Sequence, residues 1–153
     1  MPTVERQALV PYSAQQMFDL IGDIERYPEF MKDCADARII ERGALADGTP
    51  TVTATLTIEK VGFSQSFTTR NALYAPHKMA LELVQGPFKS LDGFWAFDDV
   101  STGDTQAQGC KIRFRMDYVF RSALLGMMGG PIFNKSAEEQ VRNLSARARA
   151  IYG

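Results

Sequence analysis

Lys111, Arg113 and Arg115 stand at every second position of one alternating segment, which sets three cations on a single face of a strand. Such a row can meet phosphates, either of ribosomal RNA or of lipid headgroups, and counterion release makes an RNA contact strongly salt-dependent. Asp92 and Asp98 share the outward phase on the preceding segment, so cross-strand ion pairing is the plainer expectation. The remaining reactive side chains do not assemble into a catalytic set. The one histidine, His77, lies beside Pro76 in a turn, which leaves Ser-His-Asp and Cys-His mechanisms without a base and a histidine-built zinc or iron site without ligands. Carboxylates fall in turns, on helix surfaces or on the outward phase of strands, with no inward pair for acid–base work. Gly126, Gly129 and Gly130 sit among Leu and Met with no Lys-Ser/Thr pair after them, so they form no phosphate loop. Tyr118 and Cys110 are the inward polar groups of the clearest strand. This pattern favours binding over turnover, and a protein that is not an enzyme.

Length and composition fit that reading. The chain has 153 residues, 45% hydrophobic, enough for one domain with a real core. A net charge of −1 gives no global pull toward nucleic acid, so DNA is not an expected partner. The two cysteines, Cys34 and Cys110, match no metal-ligand spacing and read as buried thiols of a reducing compartment. The N-terminus resembles no signal peptide and no stretch approaches a membrane span. A cytoplasmic protein is expected, with at most a peripheral, transient contact at the inner membrane face.

The elements that must position these groups follow from periodicity. Val4 to Val10 is extended. Ser13, three residues before Gln16, starts a helix with a capping box, and Asp23 is placed to cap a second, short one around Ile24, Tyr27 and Phe30. Strand patterns cover Ala37–Glu41, Thr51–Glu59, Phe63–Leu73, the segment after Lys78, Leu91–Phe97 and Cys110–Tyr118, with a polar loop from Asp99 to Gly109. Short connections imply antiparallel pairing. Pro131 suits the first turn of a long helix on which Phe133, Ala137, Val141, Leu144, Ala148 and Ile151 recur at helical spacing, with Glu138 and Arg142 paired outside.

Strands first and one long closing helix last suggest a sheet curled around a helix. Phe67, Trp95, Phe97, Phe114 and Tyr118 point inward, while Ala137 and Ala148 on the helix and Ala54 and Gly93 on the sheet remove volume. Native interiors do not leave such space empty, so either side chains fill it or an apolar ligand does. Leu124 to Met128, flexible and glycine-flanked, reads as a movable lid over that space rather than a plain packed helical turn.

Tyr12-Ser13, Gln16-Met17-Phe18, Asp23-Ile24-Glu25-Arg26-Tyr27-Pro28-Glu29-Phe30 and Cys34 resemble the opening of the coenzyme Q-binding protein family. That family belongs to the START-like, helix-grip superfamily, and its bacterial members include ribosome-association toxins. The block Gly86-Pro87-Phe88-Lys89-Ser90-Leu91-Asp92-Gly93-Phe94-Trp95-Ala96-Phe97 is similar to its most distinctive signature, and Arg147 to Gly153 to its last turn. The chain departs from the family at Lys32-Asp33, where Pro-Trp is frequent, and at Leu144, where an aromatic is frequent.

The resemblance implies an α+β fold, a curved antiparallel sheet of about seven strands gripping the C-terminal helix, with two short helices after the first strand. It implies ubiquinone or a similar isoprenoid lipid as ligand, carried in support of respiratory electron transport. On that reading Phe67, Leu91, Trp95, Phe97, Met116, Phe133 and Val141 line the ligand cavity. Pro87, Phe88, Lys89, Leu124, Leu125 and Met128 flank its mouth, with Lys89 near a quinone oxygen or phosphate. The alternative, by likeness to the toxin relatives, is a translation inhibitor that binds the large ribosomal subunit, with the basic row on RNA. An enzyme, as in the cyclases of the same superfamily, is the third choice.

Overall fold

A computed structural model describes residues 2–60, 62–101 and 108–153. The elements run β1 (Thr3–Val10), α1 (Ala14–Gly22), a 3-10 helix (Ile24–Glu29), β2 (Cys34–Ala44), β3 (Pro50–Lys60), β4 (Phe63–Tyr74), β5 (Lys78–Gln85), β6 (Phe88–Ser101), β7 (Gln108–Phe120), α2 (Ala123–Glu138) and α3 (Gln140–Tyr152). The strands form one antiparallel sheet in the order β1-β7-β6-β5-β4-β3-β2. The curved sheet grips the long C-terminal helix made by α2 and α3, with the short helices after β1, as expected for a START-like fold.

Local chemistry explains most boundaries. Ser13 Oγ accepts the Gln16 N–H at 3.1 Å while Gln16 Oε1 accepts the Ser13 N–H at 2.9 Å, the reciprocal cap that starts α1. Asp23 precedes the second helix but makes no side-chain capping bond; that helix is 3-10, with Pro28 inside it. The strands extend beyond their most periodic residues because both partners of each hairpin continue to pair. The expected loop from Asp99 to Gly109 is shortened in this way, with β6 reaching Ser101 and β7 starting at Gln108. Its middle, 102–107, lies outside the described residues.

The closing helix corrects two sequence expectations. It begins at Ala123, not after Pro131, because Ser122 caps it: its Oγ accepts the Leu125 N–H at 3.1 Å and its C=O accepts the Gly126 N–H at 3.0 Å. Pro131 therefore lies inside α2, on an exposed position, where its missing N–H leaves the Met127 carbonyl without its helical donor. Glu139, with φ −86° and ψ −7°, joins α2 to α3. The expected Glu138–Arg142 pair does not form. β1 brings Arg6 to within 3.3 Å of Glu138, and Arg142 turns to Glu139 at 3.4 Å.

The core lies between the sheet and the helices. At one end Phe133 of α2 is ringed by Phe67, Phe88, Tyr118 and Phe120, with ring centroids 4.7 to 6.0 Å away and mostly edge-on. Phe97 packs edge-on to Phe18 of α1 at 6.4 Å. Cys34 and Cys110 are free and buried.

Candidate functional site

Between the concave face of the sheet and the α2–α3 junction lies an apolar cavity of about 60 Å³. Its walls come from β3 (Ala54, Leu56, Ile58), β4 (Phe67), β5 (Met79, Leu81), β6 (Trp95), β7 (Phe114, Met116) and α2 (Phe133, Ala137). Alternation along each strand turns these side chains inward, and Ala54 and Ala137 withhold the bulk that would close the space. At about 60 Å³ the volume is far below the roughly 300 Å³ or more of a typical small-molecule pocket. The aromatic ring around Phe133 occupies the rest of the room.

The structure brings Phe67, Trp95, Met116 and Phe133 together around the cavity. Leu91 and Phe97 are buried elsewhere in the core, and Val141 lines a separate groove beside β1. The residues expected at a mouth are dispersed. Phe88 is 2% exposed inside the aromatic cluster, Lys89 is exposed, and Pro87 ties its carbonyl to the Arg121 N–H at 2.8 Å. Leu124, Leu125 and Met128 form the opening turns of α2, and none of them touches the cavity. The expected lid is thus a capped helix start. Gly129, one turn further on, is where the Phe63 ring packs: a Cβ there would sit 2.3 Å from that ring.

Gly93 also differs from its expected role. It withholds no volume from the cavity. A Cβ at this position would lie 2.2 Å from the Arg115 carbonyl oxygen, so the glycine lets β6 and β7 approach closely.

Sequence reasoning missed the polar side of the cavity, formed by Tyr27, Thr69, Asn71, Ser136 and Gln140. Asn71 is 3% exposed and its Oδ1 accepts the Thr69 hydroxyl at 2.8 Å. Ser136 donates to Asp33 Oδ2 at 2.9 Å. The Tyr27 hydroxyl donates to the Ile21 carbonyl, and burial drives its pKa upward. The inward phase of Thr69 and Asn71 on β4 was the available signal. Tyr118 and Cys110, the inward polar pair of β7, do not line the cavity. Tyr118 donates to Asn134 Oδ1 at 2.9 Å, and burial pushes the Cys110 thiol up to about 11.

The two arginines of the basic row are paired. Arg113 meets Asp98 at 3.1 Å, while Arg115 meets Glu5 at 3.1 Å and Asp117 at 3.2 Å. His77 closes the β4–β5 turn onto β6, its Nδ1 2.9 Å from the Phe97 carbonyl. Among the described residues no cluster of three or more His, Cys, Asp or Glu could hold a metal, and no helix is long and apolar enough to cross a membrane.

Residues 10–145 match the family model described as polyketide cyclase / dehydrase and lipid transport, and the chain belongs to that family. It is 38% identical over 153 residues to the ribosome association toxin RatA of Escherichia coli strain K12, an alignment covering 99% of this chain and 90% of the relative. A START superfamily protein of Mycobacterium smegmatis shares the fold at a TM-score of 0.76 and 19% identity, covering 97% of this chain and 98% of the other. The Zhui aromatase/cyclase of Streptomyces sp. R1128 shares it at a TM-score of 0.65 and 20% identity, covering 97% and 87%. The START-like fold therefore stands, and its sharing with an aromatase/cyclase and with proteins not named for a reaction leaves the chemistry open.

Proposed function

We propose that this chain associates with the ribosome, on the large subunit, and restrains translation. The observation that carries the reading is its likeness, along nearly its whole length, to a relative named for ribosome association. The geometry agrees in two respects. A cavity of about 60 Å³ gives an interior ligand little room, which moves the weight of function to the surface. And the paired arginines of β7 turn attention from the expected basic row to the end of the molecule where α2 begins. There Arg121 docks on the Gly86-Pro87 turn, its Nη2 3.1 Å from the Gly86 carbonyl, beside exposed Lys89. Neither cation meets an acid among the described residues. Leu124, Met127 and Met128 stand exposed on the adjoining turns of α2. Cations next to adaptable methionines suit a surface of RNA phosphate and protein. Such a partner puts the chain in the cytosol. Induced expression should slow growth and lower protein synthesis, with the chain in ribosomal fractions. Unchanged synthesis with the chain wholly in the ribosome-free fraction would defeat the reading.

A second reading is favoured by the apolar wall around Trp95: an isoprenoid lipid such as ubiquinone as a guest, delivered by transient contact of the methionine-bearing end with a membrane. It requires the aromatic ring around Phe133 to open, since the cavity as it stands is several-fold too small.

A further inference from the structure

We propose that the edge of β1, unpaired among the described residues, binds, with the groove beside α3, an extended acidic segment of another protein as an added strand. The proposal stands apart from the ribosome reading and rests on backbone phase, edge regularity and charge.

The Tyr118 N–H bonds the Pro2 carbonyl at 3.2 Å, and β1 then pairs with β7 without a register break from Thr3 opposite Asp117 to Val10 opposite Cys110. In an antiparallel ladder this phase directs the N–H and C=O groups of Gln7 and Leu9 away from β7, toward the open edge. Glu5 shares that phase, but its carbonyl already accepts Arg6 Nη1 at 2.8 Å. The two edges of the sheet are not alike. β2, the other edge, carries irregularities between Cys34 and Asp36 and between Ile39 and Glu41. Bulges of that kind are a common way to make an edge unfit for pairing. β1 carries none, and Leu9 on it is 73% exposed.

A groove of about 470 Å³ runs between this edge and α3. Its charged lining is Arg6, Arg142, Arg149 and Glu138, three cations against one anion. Arg6 is held by Glu138 and Arg142 by Glu139, but Arg149 meets no acid among the described residues. An added strand would set alternate side chains over these arginines, so acidic residues fit there and basic ones are repelled. Open main-chain groups together with side-chain pockets are what strand addition uses. RNA would engage the cations but leave the Gln7 and Leu9 amides open, which is why a peptide is the better match.

The test uses the intact chain with three fluorescein-labelled probes: an octapeptide alternating Glu and Val, its Lys and Val counterpart, and a single-stranded RNA octamer. Anisotropy should show binding of the Glu/Val peptide in preference to both others, and hydrogen exchange should slow at the Gln7 and Leu9 amides. Gln7→Pro deletes an outward N–H without removing a ladder bond, and Arg149→Glu reverses the open cation. Arg149→Glu should weaken binding by about tenfold or more, the worth of a hydrogen bond to a charged group, and Gln7→Pro by about fivefold, the worth of a neutral main-chain bond. Should Gln7→Pro unfold, Arg149→Glu carries the test alone. Equal binding of the Lys/Val peptide, preference for RNA, unslowed Gln7 and Leu9 amides, or a self-association that buries those amides would each overturn the proposal.

Discussion

Ser136 of α2 donates a 2.9 Å hydrogen bond to Asp33, the residue that turns the chain into β2. Asp33 holds φ at +64°, a left-handed conformation that aspartate tolerates better than most side chains, and its carbonyl accepts the Glu59 N–H of β3 at 2.8 Å. One residue thus joins the gripped helix to β2 and β3, beside the polar side of the cavity.

Ser136→Ala should lower stability by about 1 kcal/mol, the usual net worth of a hydrogen bond. Asp33→Val should cost more, because it loses the bond and adds left-handed strain of about 1–2 kcal/mol. A double-mutant cycle between Ser136→Ala and Asp33→Ala, read by urea unfolding, should show coupling; strict additivity would separate the two residues.

Gly93→Ala should destabilise by about 1–3 kcal/mol, because the new methyl would press on the Arg115 carbonyl and push β6 from β7. Thermal unfolding checks it, and an unchanged midpoint would mean the strands part more easily than the geometry allows.

Phe133→Ala should cost about 3–5 kcal/mol and leave a hollow continuous with the cavity. The variant should therefore take up a short-chain ubiquinone, read by quenching of Trp95, more tightly than the unaltered chain. Equal quenching in both would show that the aromatic ring is no barrier to a guest.

Burial raises both thiols, Cys34 and Cys110, from 9.0 to about 11. The folded chain then holds these protons more tightly than the unfolded one. That contribution is fully present below pH 9 and is lost as pH rises through about 11. Stability should fall over this window, and less steeply in the Cys34→Ala, Cys110→Ala double variant. Parallel falls would assign the loss to other groups.

The sheet was legible because its strands obey a period of two over long runs, as in Val52, Ala54, Leu56 and Ile58, and because Ser13 and Gln16 form a local cap. The start of α2 was not, since Pro131 and three nearby glycines mimic a helix boundary while the decisive signal was a single serine, Ser122. The four expected residues that the structure groups around the cavity, Phe67, Trp95, Met116 and Phe133, all lie on inward phases. Val141 and Phe97 share such phases, but which part of the core a buried residue faces depends on the curvature of the sheet, which periodicity does not encode. Gly93 misled for a related reason, since a glycine that admits a neighbouring backbone and one that leaves a void read alike in one dimension.

Ribosome association is tested most directly by sedimenting the chain with purified large ribosomal subunits at about 50 and 200 mM salt. The chain should co-sediment at the lower concentration and be released at the higher one, and the Lys89→Glu, Arg121→Glu double variant should bind weakly at both. A chain that stays in the supernatant at low salt, while its fold is intact, would contradict the proposal outright.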